Sequence, residues 1–238
     1  MGTRKLLLIA ILVIAVVGVG AIIWGVFFTG AEQVNLNEGQ KNILVLAVDE
    51  SEPRPGLGAV DMAFVVRLEN GTVKRSIPVY PSGIKHPTVD EPAGAGVGGK
   101  MLLHDSLWYE DNQQGMQYAK EIVEHDTNHT MDAVVAVNTE AIDYVINSSG
   151  GLNVNGTPIN IRAIDLVREE QDVGGMSRGE AVLTLTRAAA QAAKDPVKKA
   201  AMVKAAYDQL SKGNILSEPQ SAFESLATAK GLDAVMGK

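Results

Sequence analysis

Leu6 to Phe28, LLLIAILVIAVVGVGAIIWGVFF, is 23 consecutive residues without a charge. As a helix it is about 34 Å long at 1.5 Å per residue, enough to cross the hydrocarbon core of a bilayer. Trp24 stands near one end of the run, where interfacial aromatics sit. Arg4 and Lys5 precede the run and Glu32 and Glu38 follow it, so the positive-inside rule places the N-terminus in the cytoplasm and everything after the run outside the cell membrane. The competing reading is a cleaved signal peptide, whose apolar region is usually about 7–15 residues and therefore shorter. The expected organisation is a cytoplasmic tail at 1–5, a single transmembrane helix at 6–28, a polar stalk at 29–41 and one extracytoplasmic domain at 42–238.

Aromatic residues make up 5% of the chain, and the formal net charge is −7. Nucleic acid is a poor partner for such a surface, because it needs basic patches for phosphates and aromatic platforms for bases. The chain contains no cysteine, which removes disulfides, thiol nucleophiles and thiolate-bound zinc together. Asn70, Asn128, Asn147 and Asn155 each begin an N-x-S/T sequon. Such sequons are glycan acceptors in an exported protein, although Asn-Gly-Thr is equally good turn sequence.

NILVLAVD, 42–49, is a continuous apolar run ending in a carboxylate, the form of a buried central strand. ESEPRPGLGAV then reads as a loop. Two apolar runs flank Asn70-Gly71, which predicts a type I′ hairpin opened by Asp61 and closed by IPVYP. Pro81 to Gly99 is rich in Pro and Gly and predicts an irregular excursion. Within it GAGVGG satisfies G-x-G-x-x-G, but without a strand before it or a helix after it the motif reads as a loop rather than a dinucleotide site.

Met116, Ala119, Ile122 and Val123 recur at helical spacing within 112–125, and MDAVVAVN, 131–138, is a second buried strand. Asn138 or Thr139 caps a helix to Ile146 that stops at Gly150-Gly151. LNVNGTPINI predicts strand, turn and strand. Helices follow at about 178–193, behind the capping box Ser177-x-x-Glu180, at 196–210 behind Asp195-Pro196, and at 219–230. Strands interleaved with helices imply an α/β fold, a three-layer α/β/α domain with a mixed central sheet.

His125 and His129 are four apart but lack the glutamate of H-E-x-x-H, and His86 and His104 complete the histidines with no motif around them. No serine lies in a G-x-S-x-G elbow. Asp49 and Asp61 end one strand and begin the next, so both reach one edge of the sheet. There they act either as loop caps or as the carboxylates of a Mg²⁺ site completed by substrate phosphate.

NILVLAVDES, an Asp-initiated hairpin ending in SIP, a Gly-rich loop with Lys100, GMQYAKEIVEHDTNHTMDAVVAVNTEAIDYVINSSGGLNVN, GEAVLTLTR and DPVKK follow in that order. The succession resembles the LytR-CpsA-Psr family of membrane-anchored cell-wall proteins over about Asn42 to Leu210, and also the functionally unassigned archaeal branch of that superfamily. The resemblance implies transfer of an anionic polymer from a polyprenyl-pyrophosphate carrier to the wall, with Mg²⁺ on the pyrophosphate and a groove for the lipid. It puts the metal-holding acids at Asp49 and Asp61, makes Asp61 and Arg187 catalytic, and assigns phosphate binding to Arg187, Lys198 and Lys100. It also marks departures: Ala59, Val79, Tyr80 and Ala189 stand where the family carries Arg or Asp. Because an arginine fork matches phosphate in a way no apolar residue can, Arg54, Lys85, Lys100 and Arg178 are the loop cations available to compensate.

The expected function is a cell-envelope phosphotransferase with the bilayer, a polyprenyl-linked glycan and a cell-wall polymer as partners. The alternatives are a catalytically degenerate module that binds the same lipid-linked glycan or polymer, and a structural envelope glycoprotein.

Overall fold

A computed structural model of the chain describes residues 34–52, 54–95, 98–154, 157–159, 192 and 194–222. The apolar run at 6–28, the helix read at 178–193 with Arg187 and Ala189 (all but Ala192), the part of the helix read at 219–230 that follows Ala222, and Asn155 lie outside the described residues. Among the described residues no helix is long and apolar enough to cross a membrane.

A five-stranded mixed sheet forms the centre. Strand β1 (Gln40–Asp49) lies in the middle, antiparallel to β2 (Ala59–Glu69) and parallel to β6 (Ala133–Asn138). Strand β3 (Thr72–Val79) flanks β2, and β9 (Ile215–Glu218) flanks β6, both antiparallel. Asn70 and Gly71 both have positive φ, 48° and 68°, as the two centres of a type I′ turn require, so the hairpin expected between β2 and β3 is present.

The apolar run of β1 is continuous because both of its faces are covered. Ile43 and Val45 pack with Val135 and Val137 against Ala141, Val145 and Ile146 of α2 (Thr139–Ser148) and Met202 and Ala206 of α3 (Pro196–Ser211). Leu44, Leu46 and Val48 pack with Val134 and Ala136 against Met116, Ala119, Ile122 and Val123 of α1 (Asn112–Thr127). The result is two helical layers around a mixed sheet. Asp111, Asn138 and Asp195 cap α1, α2 and α3 by accepting first-turn N–H groups. Strands β7 (Leu152–Val154) and β8 (Thr157–Ile159) form the small hairpin read from LNVNGTPINI.

Three features depart from the sequence reading. The excursion after Pro81 is partly a ribbon, in which β4 (Lys85–Asp90) pairs antiparallel with β5 (Lys100–Leu102), so GAGVGG does follow a strand, and it leads into another strand rather than a helix. Strand β9 was not foreseen; it is a four-residue element whose pairing with β6 comes from tertiary contact rather than from a pattern of its own. Leu36 is 1% exposed and Val34 packs on the same core, so residues read as stalk are part of the packed domain.

The β4 ribbon is held on α1 by His86. Its Nδ1 accepts from the backbone N–H groups of Thr88 and Val89, so Nε2–H is the donor to Glu121 Oε2 at 2.7 Å. Burial pushes the Glu121 carboxyl up, but hydrogen bonds from Gln117 and His86 outweigh it and hold the group below the ordinary 4.5. A depressed carboxyl contributes stability that is complete above the unfolded value and is lost as pH falls through the folded one. Glu121→Gln is therefore expected to flatten the acid limb of the stability profile below pH 4.5. The loss at pH 7 should be about 1 kcal/mol or less, because the side chain is half in solvent. Urea melts across the pH range check this; an unchanged acid limb would contradict it.

Candidate functional site

The C-terminal end of β1 and the N-terminal end of β2 meet at a β-bulge. Ala47 pairs with Met62 and Val48 with Val60, so Asp61 is the extra residue on β2. The alternation of faces changes there. Met62 and Phe64 pack on the α2–α3 side and Ala63 and Val65 on the α1 side, whereas Val60 also packs on the α1 side. In an unbroken strand Asp61 would share the buried face of Ala63 and Val65; as the bulged residue it leaves that register and stands half-buried at the sheet end. Asp49 is paired with Ala59, two residues before Asp61, is 4% exposed and accepts the Ser51 N–H at 2.8 Å.

The β1–β2 loop and the short 3-10 turn over Leu103–Asp105 close on this edge. Glu52, Asp61 and His104 each bring a ligand atom to within 4.8 Å of the others. Glu52 comes from the loop, Asp61 from the bulge and His104 from the turn, whose backbone is tied down by the bond from His104 N–H to the Pro81 carbonyl.

Behind the cluster lies Arg54, whose side chain is 6% exposed. One terminal nitrogen donates to the Asp105 carboxylate. The other lies 3.1 Å from Glu52 Oε2 and 3.2 Å from His104 Nδ1, and the guanidinium sits 5.1 Å from the centre of the Trp108 ring. His104 Nδ1 is also 3.1 Å from Asp105 Oδ1, while Nε2 faces Glu52 Oε2 at 3.9 Å. The hydrogen bond with Asp105 raises His104 above the ordinary imidazole value, against the effect of burial. For Asp105 burial acts upward, but the bonds from His104 and Arg54 prevail and the carboxyl is held low. Glu91 is raised, chiefly by burial, with one oxygen accepting the Leu102 N–H at 3.0 Å.

Glu50 anchors the edge from the other side. Its carboxylate accepts the Thr139 N–H at 2.9 Å and the Thr139 hydroxyl, fastening the end of β1 to the first turn of α2.

Of the residues singled out from the sequence, Asp61 lies in the cluster and Asp49 at the same strand end. Lys100 spans the β4–β5 ribbon, bonding the Thr88 carbonyl at 2.6 Å and Asp90 at 2.7 Å. Lys198 is exposed in the first turn of α3, the layer on the opposite face from Leu103 and Leu107 beside the cluster. Ala59 and Val79 are core residues and Tyr80 is 77% exposed. Asn70, Asn128 and Asn147 are exposed. Glu52, His104 and Asp105 were not assigned a role from sequence; the signal available was the adjacent His104-Asp105 pair after a short apolar run.

Residues 38–171 match the family model described as Protein of unknown function (DUF4012). No curated protein matches the chain. Among solved structures, the chain is similar to TagV from Bacillus subtilis, with 16% identity over 81% of each chain and a TM-score of 0.48. It is similar to gbs0355 from Streptococcus agalactiae with 15% identity, 79% of this chain and 74% of that one covered, and a TM-score of 0.49. For TagT bound to LI-WTA the identity is 14%, the coverage 84% and 79%, and the TM-score 0.41.

Proposed function

The chain belongs to the DUF4012 family, and from that premise and the chemistry of its loop edge we propose that it is a membrane-anchored cell-envelope protein that engages the pyrophosphate of a polyprenyl-linked glycan and passes the glycan to a wall acceptor. The observation that carries this reading is the bulged Asp61 gathered with Glu52 and His104 in front of a buried arginine. The order of motifs that resembles LytR-CpsA-Psr proteins supports it, and the archaeal branch of that superfamily is the finer assignment, supported by four sequons and the absence of cysteine.

The residues fit a divalent cation. Glu52 and Asp61 offer carboxylate oxygens and His104 an imidazole nitrogen, all within 4.8 Å of one another, donors that a divalent cation accepts. The ion that the resemblance to LytR-CpsA-Psr proteins implies is Mg²⁺, which when bound would neutralise pyrophosphate charge. Asp61, with Asp49 at the same edge, is the proposed anchor, and Arg54 keeps Glu52 in place through one terminal nitrogen and, through the other, Asp105, which in turn holds His104. Arg187, Lys198 and Lys100 are the proposed phosphate contacts, Asp61 and Arg187 the proposed catalytic pair. The run at 6–28 is the proposed single-pass anchor, with the domain outside, and the four sequons the proposed glycan sites.

A second reading, binding of the lipid-linked glycan or a wall polymer without transfer, is favoured by Ala59 and Val79. They fill the core where the resemblance calls for charged residues, so these two positions offer phosphate no matching charge. Calorimetry of polyprenyl pyrophosphate on the full chain in detergent separates the two. Transfer predicts binding that needs a divalent cation and weakens at least about tenfold in Asp61→Asn, a loss of about 1.4 kcal/mol. Binding indifferent to cation and to Asp61 would establish the second reading, and no binding would overturn both.

A further inference from the structure

The donor set at the loop edge differs from the one Mg²⁺ favours. Magnesium takes oxygen ligands and keeps its waters, whereas an imidazole nitrogen suits first-row transition ions. Here His104 shares the cluster with Glu52 and Asp61. Its orientation is fixed by a carboxylate from outside the cluster: Asp105, itself buried, stands 3.1 Å from Nδ1, and Nε2 is turned toward Glu52. A carboxylate on one imidazole nitrogen with the other directed at further ligands is the support found around metal-bound histidines. Glu52 is positioned from behind in the same way, with Arg54 on its Oε2.

We propose that Glu52, Asp61 and His104 form a site for a divalent first-row transition ion, with His104 as the ligand that discriminates against Mg²⁺. The inference rests on reading this cluster as the cation end of the site, and it is independent of which lipid or glycan the protein handles. His86 is excluded as the nitrogen ligand because both of its ring nitrogens are engaged with Thr88, Val89 and Glu121. His129 is exposed, with Nδ1 against the Asn128 carbonyl, and His125 lies exposed at the end of α1. Mn²⁺ is the stringent probe, since it binds most weakly of the first-row series to a given site.

The test is titration of Mn²⁺ and of Mg²⁺ into the full chain in detergent with no lipid present, read by calorimetry, together with pulsed electron paramagnetic resonance of the Mn²⁺-loaded protein. The expected result is Mn²⁺ binding at least about tenfold tighter than Mg²⁺, with modulation from one imidazole nitrogen on the bound ion. His104→Gln should remove that modulation and bring Mn²⁺ down to the Mg²⁺ affinity, and Asp61→Asn should weaken both ions. The resonance measurement needs no variant, so a misfolded mutant leaves the proposal testable. Equal affinities, an ion without a nitrogen ligand, or no binding of either ion would each overturn it. Failure of polyprenyl pyrophosphate to bind, with Mn²⁺ still held through His104, would instead overturn the glycan reading alone.

Discussion

Arg54→Met is expected to destabilise the domain by about 3–5 kcal/mol, the effect of removing one partner from a buried ion pair. Arg54 and Asp105 are each 6% exposed at the side chain, so the substitution leaves the Asp105 carboxylate in a low-dielectric setting without its guanidinium. It also removes the cation from the Trp108 ring and the donor from Glu52. For a domain of this size such a loss lowers the melting temperature by about 10 °C. The double variant Arg54→Met with Asp105→Asn should recover part of the loss, because the stranded charge is gone. Thermal melts of the single and double variants check this, and a single variant melting with the wild type would show that the pair does not organise the loop.

Gly56→Ala is expected to have the next largest effect. A Cβ at position 56 would stand 2.2 Å from the Leu107 carbonyl oxygen and 2.3 Å from that of Tyr109, and backbone cannot give way as a flexible side chain does. Gly56 N–H donates to the Trp108 carbonyl at 2.9 Å, so the loop lies directly on the 107–109 segment. Gly58 adds a second restriction, with φ of 139° and a Cβ position 2.6 Å from the Asp49 carbonyl oxygen. The expected result is about 3 kcal/mol or more of destabilisation, as overpacking against backbone gives. It should be concentrated in the loop that carries Glu52 and Arg54. Hydrogen exchange should show lost protection at Gly56 while the β1–β2 amides stay protected. Wild-type stability with unchanged exchange would contradict the close approach.

How much of this was legible in the sequence depended on whether an element carried its own pattern. The β2–β3 hairpin was legible because Asn70-Gly71 encodes the turn locally, and α1 because Met116, Ala119, Ile122 and Val123 mark one face. Strands β1 and β6 announced themselves as continuous apolar runs, which is what burial on two faces requires. Strand β9 had four residues and no alternation long enough to read. The β4–β5 ribbon was hidden by Pro and Gly, and its footing on α1 depends on one buried histidine.

The site was legible only at its acidic strand ends. A bulge shows in sequence as a break in alternation, but Met62 to Val66 is apolar at every position, so nothing marks the change of face at Asp61. Glu52 and His104 are far apart in the chain and come together only because glycines let the loop lie against the 107–109 segment. Arg54 was visible as one of several loop cations, and nothing in the sequence told that it would be buried against Asp105 and Glu52 while Lys100 is taken up by the Thr88 carbonyl and Asp90.

The most direct measurement is a crystal structure of the full chain with pyrophosphate and Mn²⁺ added. The predicted result is an ion held by Glu52, Asp61 and His104 with a pyrophosphate oxygen completing its shell, at the edge where β1 and β2 end. An ion and pyrophosphate bound elsewhere, with Arg54, Glu52 and His104 unchanged in their mutual contacts, would contradict the assignment of this edge as the functional site.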